Sequence, residues 1–127
     1  MASWADLAVE ARDASFALKE GNRLRAAANR AYYAAFSALT ATAIRSGVTM
    51  PLDQEGPSHA KAIDGTIVAS LHKVKPEDQG RLFSIMPNLY RLRTIADYRP
   101  SMLLDDSDIR LALGDMMKAF EILKEEE

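Results

Sequence analysis

The sequence predicts an all-α protein, an antiparallel up-and-down bundle of four to five helices, and three observations lead to this prediction. Apolar residues recur at spacings of three and four along every long segment, which is the period of a helix face. Strand-like alternation between turn signals is absent. Glycine and proline separate the periodic segments, so the connections are short. The length of 127 residues fits a single domain over residues 1–127.

The first helix is predicted over residues 3–19. Ser3 and Asp6 have the spacing of a capping box, in which each side chain accepts a hydrogen bond from the other residue's backbone N–H. Apolar residues then recur every three or four positions and are expected to face the core: Leu7, Ala11, Ala14 and Leu18. Gly21 supplies the stop signal of this helix.

The second helix is predicted over residues 23–46, where small apolar residues form a stripe that allows close approach to other helices. Tyr32 and Phe36 flank this stripe as bulkier core residues, and Gly47 ends the helix. At about 1.5 Å per residue the helix is about 35 Å long, so it extends over the full height of a small bundle.

Three more helices are predicted over residues 58–73, 76–98 and 106–124. Pro76 suits the first turn of a helix, where the missing N–H has no intrahelical partner. Pro87 lies inside the apolar pattern of the same segment and removes a backbone donor. We therefore expect Pro87 to kink the fourth helix or to split it into two pieces.

The composition excludes several classes of function. The chain has 16 Lys and Arg, 18 Asp and Glu and no cysteine, so disulfides, zinc ribbons and thiol nucleophiles are excluded. No apolar run reaches the roughly 20 residues that span a bilayer, and the start lacks the pattern of a signal peptide. Glycine-rich phosphate loops and zinc-binding histidine pairs are absent as well. We expect a soluble cytoplasmic domain that uses no metal and no cofactor and does not bind a membrane.

Positive charge is concentrated in one part of the chain. Residues 21–45 contain four arginines and no acidic residue: Arg23, Arg25, Arg30 and Arg45. Such a stretch can follow a phosphate backbone, whose contacts dominate nucleic-acid affinity. It is also typical of a solvated helix face that complements an acidic segment, such as residues 104–127 with 8 acidic and 3 basic residues. The charges alone do not decide between these two interpretations.

Six residues on the second and fourth helices form the candidate ligand-binding set: Asn29, Arg30, Tyr33, Arg93, Asp97 and Tyr98. Tyr33 is four residues from Asn29 and three from Arg30, so these three residues share one side of the second helix. Arg93 and Asp97 are four apart and can form an ion pair. If the two helices pack together, we expect Arg30 to meet Asp97 across the seam. That arrangement would be either a buried ion pair that fixes the helix register or a site for phosphate or ribose.

Two motifs in these helices point to a known family. Asn-Arg-Ala-Tyr-Tyr-Ala-Ala-Phe occupies residues 29–36, and Arg-Thr-Ile-Ala-Asp-Tyr occupies residues 93–98. With this pair of motifs the chain resembles the HEPN superfamily, in particular its branch of small proteins with an R-A-Y-Y-A helix and a later R-x-x-A-D-Y ending. The resemblance covers essentially the whole chain, because the predicted order and lengths of the helices agree as well.

The resemblance implies a bundle of four to five helices that usually forms a homodimer. Many members of the superfamily are metal-independent ribonucleases of toxin–antitoxin, abortive-infection and CRISPR-linked systems. Others lie beside a minimal nucleotidyltransferase partner, and some are non-catalytic binding modules. In the ribonucleases, the active residues are an arginine and a histidine four to six residues later on the penultimate helix.

The chain departs from the family's ribonuclease motif. Its histidines are His59 and His72, and neither has an arginine four to six positions upstream. After Arg93, at the position expected for the histidine, the sequence has Asp97 and Tyr98. With ordinary pKa values of about 4 and 10, aspartate and tyrosine exchange protons poorly near neutral pH. A conventional ribonuclease mechanism is therefore not supported.

The preferred hypothesis is a HEPN-like binding and assembly module of a toxin–antitoxin or defence-type pair. It would bind RNA, a nucleotide or a nucleotidyltransferase partner, and it is not expected to be an enzyme. One alternative is a ribonuclease with an altered site, in which Arg93 stabilises the phosphorane and Tyr98 or His59 carries the proton. Another alternative is a purely structural dimerisation domain. Outside the ribonuclease hypothesis, His59 is expected to be an exposed or capping residue at the start of the third helix.

Overall fold

The computed structural model describes residues 2–48 and 59–124, and within these residues every regular element is a helix. The prediction of an all-α fold is therefore confirmed, and the helices form a bundle. The six helices are α1 Trp4–Glu20, α2 Leu24–Arg45, α3 His59–Ile63, α4 Thr66–Ala69, α5 Pro76–Tyr98 and α6 Asp106–Lys124. None of them is long and apolar enough to span a membrane.

Helix α2 is the central element and contacts every other helix. Arg25, in the first turn of α2, donates a hydrogen bond to the carbonyl of Ile95 near the end of α5. Tyr33, further along α2, accepts a hydrogen bond from Arg93, which precedes Ile95 on α5. Because residue numbers rise along α2 as they fall along α5, the two helices run antiparallel. The seam between them contains the candidate functional residues.

The first turn of α1 has the capping box that the sequence predicts, but the buried face of this helix differs from the prediction. Ser3 and Asp6 form the predicted capping box. The buried positions of α1 are Ala8, Ala11 and Ser15, whereas Leu7 is 40% exposed. The predicted stripe through Leu7 is therefore wrong at its first member. The buried residues of α1 are small, as are most buried residues of its neighbour α2, and two such helices can approach closely.

The segment predicted as one helix over residues 58–73 is two short helices, α3 and α4. Residue 58 lies outside the described residues. The break is at Gly65, whose φ of +89° lies in the left-handed region that ends a helix. Asp64 Oδ1 then accepts bonds from the backbone N and the hydroxyl of Thr66, at 2.9 and 2.6 Å, and so begins the next turn. Within residues 2–48 and 59–124 the chain therefore forms six helices rather than the predicted four or five.

Helix α5 continues through Pro87 as one helix, so of the two expected outcomes, a kink or a split, the split does not occur. Pro87 lacks the N–H that would bond to the carbonyl of Phe83 one turn earlier. The helix therefore gives up this one backbone hydrogen bond and still continues to Tyr98.

Candidate functional site

The α2–α5 seam brings all six candidate residues together. Asn29, Arg30 and Tyr33 lie on the side of α2 that faces α5, and their partners follow from Arg93 to Tyr98 on α5. The two motifs are distant in sequence and meet because the helices run antiparallel over this stretch. The cluster is centred on two side chains, the amide of Asn29 and the ring of Tyr33.

Asn29 connects the arginine of α2 to the carboxylate of α5. Its Nδ2 donates to Asp97 Oδ2 at 2.8 Å, and its Oδ1 accepts from Arg30 Nε at 2.8 Å and from Arg30 Nη2 at 2.5 Å. The expected ion pair between Arg30 and Asp97 is therefore wrong. The short amide side chain reaches the carboxylate first, and the longer arginine bends back along its own helix. Arg30 has no carboxylate within ion-pair distance among residues 2–48 and 59–124.

Arg93 forms the ion pair with Asp97 that the spacing predicts. Arg93 Nε lies 3.0 Å from Asp97 Oδ2, and the two side chains are 15% and 27% exposed. Arg93 Nη2 also donates to the hydroxyl of Tyr33 at 3.2 Å. The angle at Nε is too bent for a hydrogen bond, which leaves this buried N–H without a well-directed acceptor. Burial acts to lower the pKa of Arg93, but its tyrosine neighbours and Asp97 outweigh burial and raise it.

Aromatic rings pack against both guanidinium groups. The guanidinium carbons of Arg30 and Arg93 lie 5.1 and 5.5 Å from the centroid of the Tyr33 ring, within the range of cation–π attraction. Arg93 is also 5.4 Å from the ring of Tyr98 and 5.9 Å from that of Tyr90. Tyr98 is 67% exposed, so one ring of the cluster is open to solvent.

His59 belongs to this cluster and is not the exposed capping residue that its position suggests. Its ring stacks on Phe36 with 4.5 Å between centroids, and it lies perpendicular to the Tyr33 ring with 5.8 Å between centroids. Its Nδ1 lies 2.6 Å from the hydroxyl of Tyr32. Burial lowers the pKa of His59, and the positive charge of Arg93 lowers it further. The tertiary structure thus places the imidazole against two tyrosines that contact Arg93, although His59 and Arg93 are 34 positions apart in the sequence.

The hydrogen bond between Tyr32 and His59 orients the imidazole in the cluster. Tyr32 is fully buried, and burial followed by the neighbouring tyrosines raises its pKa, so its hydroxyl keeps its proton. A protonated hydroxyl can donate or accept, and the tautomer of His59 decides which of the two groups is the donor. When Nδ1 carries the proton and donates it to the Tyr32 hydroxyl, Nε2 of neutral His59 is free to accept a proton from another group.

Sequence reasoning missed three contributors to the site. Tyr32 was expected in the core only, and Tyr90 was not singled out, although it precedes Arg93 by three residues and so shares its face. Arg25 was grouped only with the other arginines, yet it bonds to the carbonyls at the end of α5. The three-residue spacing between Tyr90 and Arg93 is a sequence signal that identifies Tyr90 as a neighbour of the site. For Arg25 no sequence signal exists.

The cluster presents positive charge next to exposed aromatic surface. Arg30 and Arg93 carry two positive charges against the single negative charge of Asp97, whose Oδ2 is already engaged by Asn29 and Arg93. Such a site can attract a phosphate and offer a ring for stacking. Among the described residues, no group of three or more acidic or histidine side chains is arranged to hold a metal ion.

Comparisons of the chain with models of known protein families, with curated proteins and with solved structures find no match.

Proposed function

We propose that the protein is a HEPN-like binding module whose α2–α5 cluster binds the phosphate and base of RNA or of a nucleotide. The observation that carries this proposal is that Arg30 and Arg93 lie on the same ring, that of Tyr33, and that within the described part of the chain only Asp97 pairs with either of them. Arginine recognises phosphate through paired N–H donors, and an uncompensated arginine has donors to spare. Tyr98, 67% exposed beside Arg93, supplies a surface on which a base can stack.

A single-stranded ligand suits this site better than a duplex. The cluster is compact and combines a stacking ring with guanidinium groups, which is how proteins bind unpaired bases and their phosphates. Helix α5 does not extend the basic surface of the cluster. Its other nearby arginine, Arg91, lies outside the cluster and donates to Asn88 Oδ1 at 3.1 Å. We expect short RNA segments or mononucleotides rather than long helices as ligands.

Fluorescence anisotropy with a short labelled oligouridine tests the proposal. Arg30→Ala, Arg93→Ala and Tyr98→Ala should each weaken binding about tenfold, since a stacking contact or a phosphate contact contributes about 1–3 kcal/mol. Arg91→Ala is the matched control, because it removes an exposed arginine of the same helix outside the cluster. Equal weakening in the control, or no binding by the wild type, would refute the proposed function.

The resemblance extends the proposal to partners. A homodimer and a nucleotidyltransferase-type partner protein, in a toxin–antitoxin or defence-type pair, are what it implies for this chain. Light scattering on the purified protein tests the homodimer, and co-purification with a nucleotidyltransferase encoded beside it tests the second partner. A monomer at tens of micromolar would refute the homodimer.

One observation favours the second candidate function, a ribonuclease with an altered site. His59 lies beside Tyr33 and Tyr90, both of which contact Arg93, and its pKa is lowered by burial and by Arg93. With Nδ1–H donating to the Tyr32 hydroxyl, neutral His59 can accept the proton of an attacking 2′-hydroxyl at Nε2, while Arg93 stabilises the charge on the phosphoryl oxygens. As the new O–P bond forms, the bond from phosphorus to the 5′-oxygen breaks, and water protonates that leaving oxygen. In this alternative, Tyr98 is the other candidate proton carrier.

Incubation of labelled RNA with the protein in the presence of a chelator distinguishes the two functions. Cleavage that is lost in both Arg93→Ala and His59→Gln, with the fold retained, would establish the ribonuclease. If cleavage is instead lost in Tyr98→Phe and kept in His59→Gln, the proton carrier is Tyr98. Binding without cleavage supports the module.

A further inference from the structure

The guanidinium of Arg25 donates hydrogen bonds to backbone carbonyls at the C-terminal end of α5 and in the turn that follows. The acceptors of Nη1 are the carbonyls of Ile95, Ala96 and Arg99, at 3.0, 3.2 and 3.3 Å. The acceptors of Nη2 are the carbonyls of Pro100, at 3.2 Å, and Met102. One side chain of α2 therefore contacts five carbonyls over eight residues.

This end of α5 needs an external cation. The last carbonyls of a helix have no intrahelical partner, and they form the negative end of the helix dipole. The last turn of α5 contains no basic residue of its own. Arg25 supplies the missing donors and the positive charge from another helix, and its planar fork suits several acceptors at once.

The residues held by Arg25 enclose two members of the candidate site. Asp97 and Tyr98 lie between Ala96 and Arg99, whose carbonyls both accept from Arg25 Nη1. The Tyr98 side chain is 67% exposed, so core packing does not fix it. The position of its ring depends on the backbone of the last turn and on the contact with Arg93.

Arg25 is not itself available to bind a phosphate with its terminal nitrogens. Nη1 and Nη2 each carry two hydrogens, and together they face five carbonyl oxygens. A ligand would have to displace these acceptors. The contribution of Arg25 to binding must therefore be indirect.

We propose that Arg25 is a positioning residue, which holds the end of α5 so that Asp97 and Tyr98 are ordered for the ligand. This inference rests on the proposed function for the effect on binding, whereas the effect on the end of α5 can be measured without ligand. Ordering the site before binding reduces the entropy that the ligand must overcome.

Two variants and one control test the inference. Arg25→Ala removes the donors and the charge, whereas Arg25→Lys keeps the charge and loses the planar fork. Arg23→Ala is the control, because Arg23 is the exposed N-cap residue of α2 and makes no capping bond. Hydrogen exchange of the Arg99 and Met102 amides, which bond to Ile95 O and Arg99 O, reports on the end of α5.

We expect both Arg25 variants to speed exchange of these two amides about tenfold or more, with little change at core amides of α2. Both should bind short oligouridine about tenfold more weakly than the wild type, with Arg25→Lys within about threefold of Arg25→Ala. Arg23→Ala should leave hydrogen exchange at the end of α5 unchanged. It should change the affinity for oligouridine by no more than about twofold.

Three results would overturn the inference. Unchanged exchange at Arg99 and Met102 in Arg25→Ala would show that the hydrogen bonds do not hold this segment. Faster exchange with full RNA affinity would show that the order of the segment does not matter for binding. Full affinity in Arg25→Lys would show that only the charge matters. If the wild type binds no RNA, the proposed function fails, and the hydrogen-exchange result still decides whether Arg25 orders the end of α5.

Discussion

The side-chain amide of Asn29 donates a 2.8 Å hydrogen bond to Asp97, and this bond joins the first half of α2 to the last turn of α5. The same amide accepts two bonds from Arg30 through its oxygen. A neutral residue thus occupies the place where direct contact between Arg30 and Asp97 was expected. As a consequence, the charge of Arg30 is not neutralised by Asp97, which pairs with Arg93 instead.

Asn29→Ala should lower the free energy of unfolding by about 1 kcal/mol, the usual net contribution of a hydrogen bond at a partly buried site. For a domain of this size that is a decrease of about 4 °C in melting temperature, measurable by calorimetry. Asn88→Ala is the matched control, because Asn88 donates a 3.0 Å bond to Asp115 across another helix pair. Both variants should be destabilised similarly, but only Asn29→Ala should weaken RNA binding. A loss of affinity in both would contradict the site.

Replacing either arginine of the site should reduce the salt dependence of RNA binding. Each phosphate contact with single-stranded nucleic acid contributes a slope of about 0.7 to the plot of log affinity against log salt concentration. Arg30→Gln and Arg93→Gln should therefore each lower the steepness of this plot by about that amount. Asp97→Asn should raise affinity at low salt, because among residues 2–48 and 59–124 it removes the only carboxylate that pairs with an arginine of the cluster. A slope that is the same in all variants would mean that these arginines do not contact phosphate.

The stability of the protein should fall as the pH is lowered from about 7 to about 5. The pKa of folded His59 lies below its ordinary value of 6.5, because burial and then Arg93 disfavour its protonated form. The unfolded chain therefore binds more protons in this range, and stability decreases as the pH falls from 6.5 toward the folded pKa. Denaturant titrations at several pH values measure this decrease.

His59→Gln is the control for the pH effect, since its amide oxygen can accept the hydrogen bond of Tyr32 but does not titrate. The decrease in stability should be smaller in this variant. The aspartates whose pKa values are lowered by hydrogen bonds, Asp6, Asp64 and Asp105, titrate below this window and do not interfere. An equal decrease in wild type and variant would exclude His59 as its origin.

Gly65→Ala should be among the most destabilising single-methyl additions to the chain. The φ of +89° is strained for alanine, and a Cβ at this position would lie 2.7 Å from Phe83 Cε1. We expect a loss of about 1–3 kcal/mol, measured by denaturant titration. Gly80→Ala is the control, because its added Cβ meets nothing within 4 Å and Gly80 lies inside α5. That variant should gain about 0.5–1 kcal/mol through better helix propensity. Equal effects at both glycines would refute the explanation.

The parts of the fold that depend on local spacing were accessible from the sequence. The capping box of Ser3 and Asp6 and the pairing of Arg93 with Asp97 each involve residues three or four apart. The periodicity also predicted the long helices. The break at Gly65 was missed, although an isolated glycine is a local signal, because the apolar period continues across it and suggested one helix.

The sequence by itself determined the helical class, the approximate helix bounds and which candidate residues share a face of α2 or of α5. Only the tertiary structure decided that Asn29 contacts Asp97, that His59 packs beside Arg93's tyrosines, and that Arg25 holds the end of α5. The physical reason is that periodicity fixes the direction of a side chain relative to its own helix axis. It does not fix the distance, shift and rotation between two helices, and a contact of about 3 Å depends on all three.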